Sequence, residues 1–217
     1  MFGNSKNVFW EALLIAGVVF ALGLFLGVLV ESGRLGQINT YYSQAQVSLI
    51  DSMALSNTIA PGADCANLVS SNVQFADNVY NQALILENYE SSGKITNDMI
   101  LAHREYDLLR TMLWQNLIKV QVMCPRQFNY IIYLYDYNPS DLTQKAEENV
   151  WSNILSEVKQ QDGNNVILVP IAADSNLSSL NYMMTEYNIT SLPAVIINGN
   201  ETIYRLESVA DIQKYIS

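Results

Sequence analysis

The sequence predicts an α+β protein in two parts, a helical N-terminal part that begins with an apolar helix and a C-terminal α/β part. Three observations lead to this fold class. Residues 8–30 are almost entirely apolar, residues 31–125 carry apolar side chains at intervals of three and four, and residues 126–217 alternate strand-like with helix-like segments. The expected architecture is a transmembrane helix, an antiparallel three-helix bundle and an α/β domain with a four-stranded mixed sheet.

The first segment, VFWEALLIAGVVFALGLFLGVLV, is long enough to be a transmembrane helix. It covers residues 8–30 with Glu11 as its one charged residue, and about 20 apolar residues suffice to cross the hydrocarbon of a bilayer. The alternative is a cleaved signal peptide, but its apolar core is shorter, and no Ala-x-Ala-like site follows in residues 31–36. An uncleaved single-pass anchor in the cell membrane is therefore the favoured interpretation.

The charges that flank this segment predict its orientation. The amino terminus and Lys6 precede it, whereas Glu31 and Arg34 follow it. Because basic residues favour the cytoplasmic side of a membrane, this small difference places residues 1–7 in the cytoplasm and the rest of the chain on the other side.

The next part of the chain reads as three amphipathic helices. The first covers about residues 31–60 and ends at Pro61 and Gly62, with apolar or small residues at heptad spacing: Leu35, Ile38, Tyr42, Ala45, Leu49, Ser52, Ser56 and Ile59. The second covers residues 64–92 and the third begins near Asn97. Short connections between such helices favour antiparallel neighbours. The heptad spacing also fits pairing between two copies, so a homo-oligomeric spacer remains an alternative.

The two cysteines lie at matching places in the predicted helical hairpin. Cys65 and Cys124 are equidistant from the turn at Gly93 and Lys94, and residues equidistant from the turn of an antiparallel hairpin lie side by side. A disulfide there closes a loop of roughly 60 residues and contributes about 4 kcal/mol in the chain-entropy model. Such a bond needs an oxidising compartment, in agreement with the predicted orientation. The alternatives are two buried free thiols or a redox-active pair.

The α/β part begins with a predicted parallel βαβ unit. Residues 129–137 and 166–172 are near-continuous apolar runs of strand length, which is typical of buried strands. Residues 141–161 between them have apolar positions at helical spacing. Two parallel strands joined by a helix form a right-handed crossover.

The rest of this part predicts a helix, a hairpin and a last helix. Asn198 and Gly199 supply the positive-φ pair of a two-residue turn. Pro193 has no N–H, so it belongs at the first position of a strand. The element order is βαβαββα, with the later elements at residues 175–187, 194–197, 202–206 and 208–216.

Residues 126–217 resemble the thioredoxin superfamily. The likeness rests on the element order, on the polar loop Tyr137-Asn138-Pro139-Ser140 after the first strand, and on Thr190-Ser191-Leu192-Pro193 before a hairpin with Asn-Gly. Local sequence alone favours a trans Leu192–Pro193 bond. The resemblance instead implies a cis bond, with Pro193 beside the start of the first helix.

The sequence departs from the family at its reactive position. No cysteine follows Cys124, so the family's Cys-x-x-Cys is absent, and no mixed disulfide can form there. The resemblance therefore implies binding, in which a partner peptide adds as an extra strand beside the proline loop. The candidate binding residues are Tyr137, Asn138, Ser140, Leu192 and Pro193. A thiol-disulfide oxidoreductase that uses Cys65 and Cys124 remains the alternative from the enzyme class.

The composition narrows the remaining classes of function. A formal net charge of −10 argues against nucleic acid as a partner, because phosphate backbones repel an acidic protein. His103 is the only histidine, and the sequence has no phosphate-binding glycine loop and no zinc-ligand spacing. We therefore expect no metal site, no cofactor and no catalytic residue, and we expect the membrane and a protein or peptide as partners.

Overall fold

A computed structural model describes residues 5–58, 64–91 and 97–216 of the chain. The predicted turns at residues 61–62 and 93–94 lie outside these ranges. The elements in chain order are α1 Ser5–Thr58, α2 Cys65–Ser91, α3 Asn97–Met123, β1 Asn129–Tyr135, α4 Leu142–Asp162, a short 3-10 helix Gly163–Asn165, β2 Val166–Ala172, α5 Ser178–Glu186, β3 Ala194–Ile197, β4 Glu201–Ile203 and α6 Val209–Ile216. The chain divides into two compact units, Met1–Tyr41 and Tyr42–Ser217.

The first unit contains the apolar part of α1. Phe9–Val30 has a mean hydropathy of 2.9 over 22 residues, and none of it is buried within the protein. A helix of this length and composition can cross a membrane, which agrees with the predicted anchor. Of the predicted heptad positions, Leu35, Ile38 and Ile59 lie outside the described side chains.

The second unit begins with three packed helical segments. The last part of α1 buries Ala45, Leu49, Ser52 and Ser56, which are four of the predicted heptad positions. The Ser56 hydroxyl donates to Asn116 Oδ1 of α3, and Asn116 Nδ2 donates to Asn72 Oδ1 of α2, both at 2.8 Å. This buried chain of side chains joins all three helices, and its partners fix their register because an unpaired buried amide is costly.

The predicted disulfide joins Cys65 at the start of α2 to Cys124, which follows the last residue of α3. Cys124 is 1% exposed, whereas Cys65 is half-buried. Since Asn72 and Asn116 meet further along the same two helices, α2 and α3 are antiparallel and the disulfide closes their open end.

The C-terminal elements form the predicted four-stranded mixed sheet, with the strand order β2-β1-β3-β4. The β1–β2 pair is parallel, and the β1–β3 and β3–β4 pairs are antiparallel. Helices α4 and α6 cover one face, where a hydrophobic core includes Ile131, Tyr133, Trp151, Leu155, Val158, Val195, Ile197 and Ile212. Helix α3 packs against β2 and α5.

The hairpin turn between β3 and β4 requires a glycine at position 199. Asn198 and Gly199 have φ values of 52° and 71°, and Asn198 Oδ1 accepts the Tyr130 N–H at 3.0 Å. A Cβ on Gly199 would lie 2.7 Å from the Tyr130 hydroxyl oxygen and 3.1 Å from that of Tyr187. Both the left-handed backbone and the close approach therefore require glycine here.

Two strands end earlier than predicted, and for β1 the reason is that side chains replace a strand partner. Strand β1 ends at Tyr135 instead of Tyr137, since the next two backbone N–H groups donate to carboxylates of Glu148 and Asp174. Strand β4 ends at Ile203, after which the Tyr204 hydroxyl contacts the loop before β3.

Candidate functional site

The candidate site lies where β1 and β2 end. We name residues 136–141 and 173–177 the strand-end loops. They follow the carboxyl ends of two adjacent parallel strands, which is where ligands bind in α/β sheets. Tyr137, Asn138 and Ser140, all predicted binding residues, lie in the first of these loops; Asn138 and Ser140 are exposed and Tyr137 is half-buried.

Carboxylates hold the first strand-end loop in place. The Asp136 N–H donates to Glu148 Oε1 at 2.9 Å, and the Tyr137 N–H donates to Asp174 Oδ1 at 3.0 Å. Gln144 Nε2 also donates to Glu148 Oε1, at 3.0 Å. Two backbone groups that β1 leaves unpaired are satisfied in this way, so the loop has a defined conformation.

These carboxylates also act on one another. Partial burial, a hydrogen bond to the Asp174 carboxyl group and the negative charges of Asp174 and Glu148 raise the pKa of Asp136 from 3.8 to about 6. The opposing contribution is a hydrogen bond from the Asn138 backbone. The carboxyl groups of Asp136, Glu148 and Asp174 therefore lie close together at the ends of β1 and β2.

Helix α4 begins directly after this loop. Asp141 has an extended backbone and its Oδ1 accepts the Thr143 N–H at 2.8 Å, which is the arrangement of an N-cap. The cap fixes the direction of α4 and hence the position of Glu148 on its second turn. Ser140, immediately before the cap, is exposed to solvent.

The second set of predicted residues, Leu192 and Pro193, immediately precedes β3. The Leu192–Pro193 peptide bond is cis. The last β1–β3 pair is Leu134 with Ala194, so continuing this register brings Pro193 opposite Tyr135 and Leu192 opposite Asp136. The sheet therefore brings the two predicted groups of residues to the same end of neighbouring strands.

The loop that leads to this bond is tied to the hairpin. The Thr190 N–H donates to the Tyr204 hydroxyl at 3.4 Å, and that hydroxyl donates to the Asn188 carbonyl at 3.3 Å. Thr190 and Ser191 are exposed, Leu192 is half-buried and Pro193 is buried. The exposed backbone next to the cis bond is thus held at a fixed position.

A cavity of about 400 Å³ opens beside the first strand-end loop. Residues of α2, α3, β1, β2 and α4 form its walls together with the first strand-end loop. Four of the lining side chains are tyrosines: Tyr80, Tyr133, Tyr135 and Tyr137. Asn138 also lines it, whereas Ser140, Leu192 and Pro193 do not. The sequence did not predict this cavity, because its walls are separated by up to 90 positions along the chain.

Helix α3 supports both strand-end loops. The rings of His103 and Tyr137 lie 4.2 Å apart between centroids, and Arg104 Nε donates to the Ser175 carbonyl at 2.9 Å. One turn later, Asp107 Oδ1 accepts the Ala172 N–H at 3.2 Å. The bundle therefore positions the loops of the candidate site directly.

Asp107 and Arg110 form a buried ion pair beneath this support. Their side chains are 1% and 6% exposed, and Arg110 Nη1 lies 3.3 Å from Asp107 Oδ1. Burial raises the pKa of Asp107, while Arg110 and the Ala172 N–H oppose that effect. Sequence reasoning missed this pair, although two charged residues three positions apart within an apolar helical stripe were a signal for it.

The geometry defines an α+β protein with a membrane-length helix and an acidic, tyrosine-lined site at the carboxyl ends of its strands. Both cysteines of the chain are in the disulfide at the other end of α3. Within residues 5–58, 64–91 and 97–216, no group of three or more His, Cys, Asp or Glu side chains is arranged to hold a metal ion. No protein-family model matches the chain, and no curated protein matches its sequence.

Proposed function

We propose that this protein is a single-pass membrane protein whose C-terminal part, outside the cytoplasm, binds an extended peptide segment of a partner protein. In this proposal residues 126–217 have a thioredoxin-like arrangement without the family's thiols. The order β2-β1-β3-β4, with a parallel pair, an antiparallel hairpin and a cis X-Pro bond before β3, supports that arrangement. The disulfide supports an oxidising location, and the apolar helix supports the anchor.

The observation that carries this proposal is the open backbone beside the cis bond. Strand β4 ends at Ile203, opposite Val195, so the chain from Ser191 to Ala194 extends beyond its strand partner on that side. Thr190 and Ser191 are exposed and the Thr190 N–H donates to the Tyr204 hydroxyl, whereas Leu192 is half-buried and Pro193 and Ala194 are buried. An extended peptide that pairs with this backbone gains main-chain hydrogen bonds without displacing any strand.

The neighbouring side chains favour binding over sulfur chemistry. Tyr137, Asn138 and Ser140 occupy the loop beside this edge, and none of them is a thiol. They offer an aromatic surface, an amide and a hydroxyl, which are groups that orient a bound peptide. A bound segment would therefore meet a contact surface instead of a nucleophile.

Peptides selected from a random library on the detergent-solubilised full-length protein provide the test. We expect Leu192→Asp to weaken a selected peptide by at least about tenfold, because a charge beside the paired backbone must be desolvated. Leu206→Asp is the matched control, since Leu206 is 43% exposed and lies beyond β4. Equal losses in both variants would count against the proposed edge.

A second candidate function rests on the half-buried Cys65. The partial exposure of this residue, unlike that of the buried Cys124, favours access of an external thiolate to one side of the disulfide, as a redox-active pair requires. Equilibration of the full-length protein with glutathione buffers separates the two functions. A structural disulfide has a reduction potential below about −300 mV, whereas a catalytic one lies well above that value.

A further inference from the structure

We propose that the tyrosine-lined cavity receives the guanidinium group of an arginine side chain from the bound partner. This inference rests on the proposed peptide binding and names the side chain that would accompany it. The walls of the cavity carry the proposal, and the surrounding charges decide which ligand fits. Neither Leu192 nor Pro193 lines the cavity, so it can be tested apart from the peptide edge.

The size and the walls of the cavity suit a planar group. Its volume of about 400 Å³ exceeds that of an arginine side chain. The Tyr133 and Tyr135 rings are stacked, with centroids 5.4 Å apart and an angle of 22° between their planes. Tyr80 from α2 and Tyr137 from the first strand-end loop add two further rings, so a flat ligand meets aromatic surface from three parts of the fold.

The charges at the cavity favour a cation. Asp136 and Glu148 line it, and Asp174 shares a hydrogen bond with Asp136. Burial first, and then the Asp174 and Glu148 carboxylates, raise the pKa of Asp136, so a cation that enters here meets a carboxylate with acidic neighbours. Three basic residues lie in the walls: Arg110 is paired with Asp107, Lys145 is exposed to solvent, and the His103 ring packs against the Tyr137 ring.

Among cationic groups, guanidinium uses both features of the cavity. It is planar, so it stacks on tyrosine rings and donates two parallel hydrogen bonds to a carboxylate. An ammonium group is not planar and makes neither of these contacts. The chain's net charge of −10 also favours encounter with a basic segment. An acidic ligand would instead face Asp136 and Glu148.

The test compares small probes on the full-length protein in detergent, with tyrosine ring resonances as the readout. The probes are the acetylated, amidated tripeptides Gly-Arg-Gly, Gly-citrulline-Gly, Gly-Lys-Gly and Gly-Glu-Gly. Citrulline keeps the shape of arginine without its charge. We expect the arginine probe to bind at least about tenfold more tightly than the citrulline probe, which corresponds to one charge-assisted contact.

Four variants locate the binding. Tyr80→Ala should weaken the arginine probe by about tenfold, while Tyr80→Phe, which keeps the ring, should change it by less than about threefold. Tyr182→Ala is the control, because Tyr182 is 62% exposed on α5 and does not line the cavity. Lys145→Gln should strengthen binding, since it removes a positive charge next to the site.

Three results of these measurements would overturn the inference. Equal affinity for the arginine and citrulline probes, tighter binding of the glutamate probe, or weaker arginine binding in Lys145→Gln would each contradict a guanidinium site. Leu192→Asp adds a negative charge opposite Asp136 and should therefore not weaken the arginine probe. If the probe fails while library peptides still respond to Leu192→Asp, the arginine inference fails and the peptide edge does not.

Discussion

At the β2 edge of the sheet the backbone is covered and paired, whereas at the β4 edge the sheet ends in a three-residue strand beside an open loop. Helices α2 and α3 pack against β2, and Asp107 accepts the N–H of Ala172 on its outer side. On the other side, β4 pairs only with β3, and the chain before Ala194 extends past it. The covered edge serves stability, and the open one leaves backbone available to a partner.

The sequence of β2 fits its covered position. The Ala173 N–H donates to the Tyr135 carbonyl on β1, so the N atoms of Ala172 and Pro170 point to the outer side by the alternation of a strand. The Ala172 N–H donates to Asp107 Oδ1, and Pro170 has no N–H that needs an acceptor. These two positions therefore offer no free N–H to another strand, and helices α2 and α3 cover this edge.

Among the predicted changes on the side of the covered edge, removal of the disulfide should lower the free energy of unfolding most. We expect Cys65→Ser with Cys124→Ser to lower the free energy of unfolding by about 4 kcal/mol, because the unfolded chain regains the freedom of a loop of about 60 residues. Denaturant titration of the full-length protein measures this change. Reductant should reproduce it in the natural sequence and have no effect in the variant. A loss below about 1 kcal/mol would mean that the bond does not clamp the hairpin.

Breaking the buried ion pair should have the next largest effect. Asp107→Asn keeps an acceptor for the Ala172 N–H but leaves Arg110 as a buried cation, at a cost of about 3 kcal/mol. Denaturant titration again gives the value. Replacing both residues, with Asp107→Asn and Arg110→Met, should recover part of the loss. No recovery in the double variant would show that the charge of Arg110 is not the cause.

The smallest predicted effect concerns Asp136 and depends on pH. Because its pKa is raised from 3.8 to about 6 in the folded protein, the folded state holds this proton more tightly than the unfolded state. Its contribution is therefore present below pH 3.8 and is lost as pH rises through about 6. Asp136→Asn should stabilise the protein at pH 7 by on the order of 1 kcal/mol, a value reduced by solvent screening.

Stability curves between pH 4 and pH 7 check this expectation. The loss of stability with rising pH should be smaller in Asp136→Asn than in the natural sequence. Asp51→Asn, at an exposed position on α1, should keep the natural dependence. An unchanged pH dependence in Asp136→Asn would mean that folding does not raise the pKa of Asp136.

The sequence predicted those features that follow from local periodicity. The apolar helix, the mixed sheet and the Cys65–Cys124 disulfide are confirmed, since apolar spacing and the symmetry of a hairpin are visible in the chain. The cis bond before β3 followed only from a family resemblance, because the local sequence favours trans.

The contacts that shape the candidate site could not be predicted in this way. Asp107 meets Ala172 across 65 positions, and Tyr137 meets Asp174 across 37. Periodicity shows which face of an element is buried, but it does not show which edge of a sheet a helix covers. The cavity depends on that choice, since residues of α2 and α3 form part of its walls.

Scanning a library-selected peptide with single N-methyl groups tests the central claim, that a partner segment pairs through its backbone with the chain beside Pro193. Backbone pairing uses the N–H of every second peptide residue, so methylation should abolish binding at alternate positions and spare those between. Leu192→Asp should remove the whole pattern. A peptide that tolerates methylation at every position, or loses affinity equally at all of them, would contradict pairing at this edge.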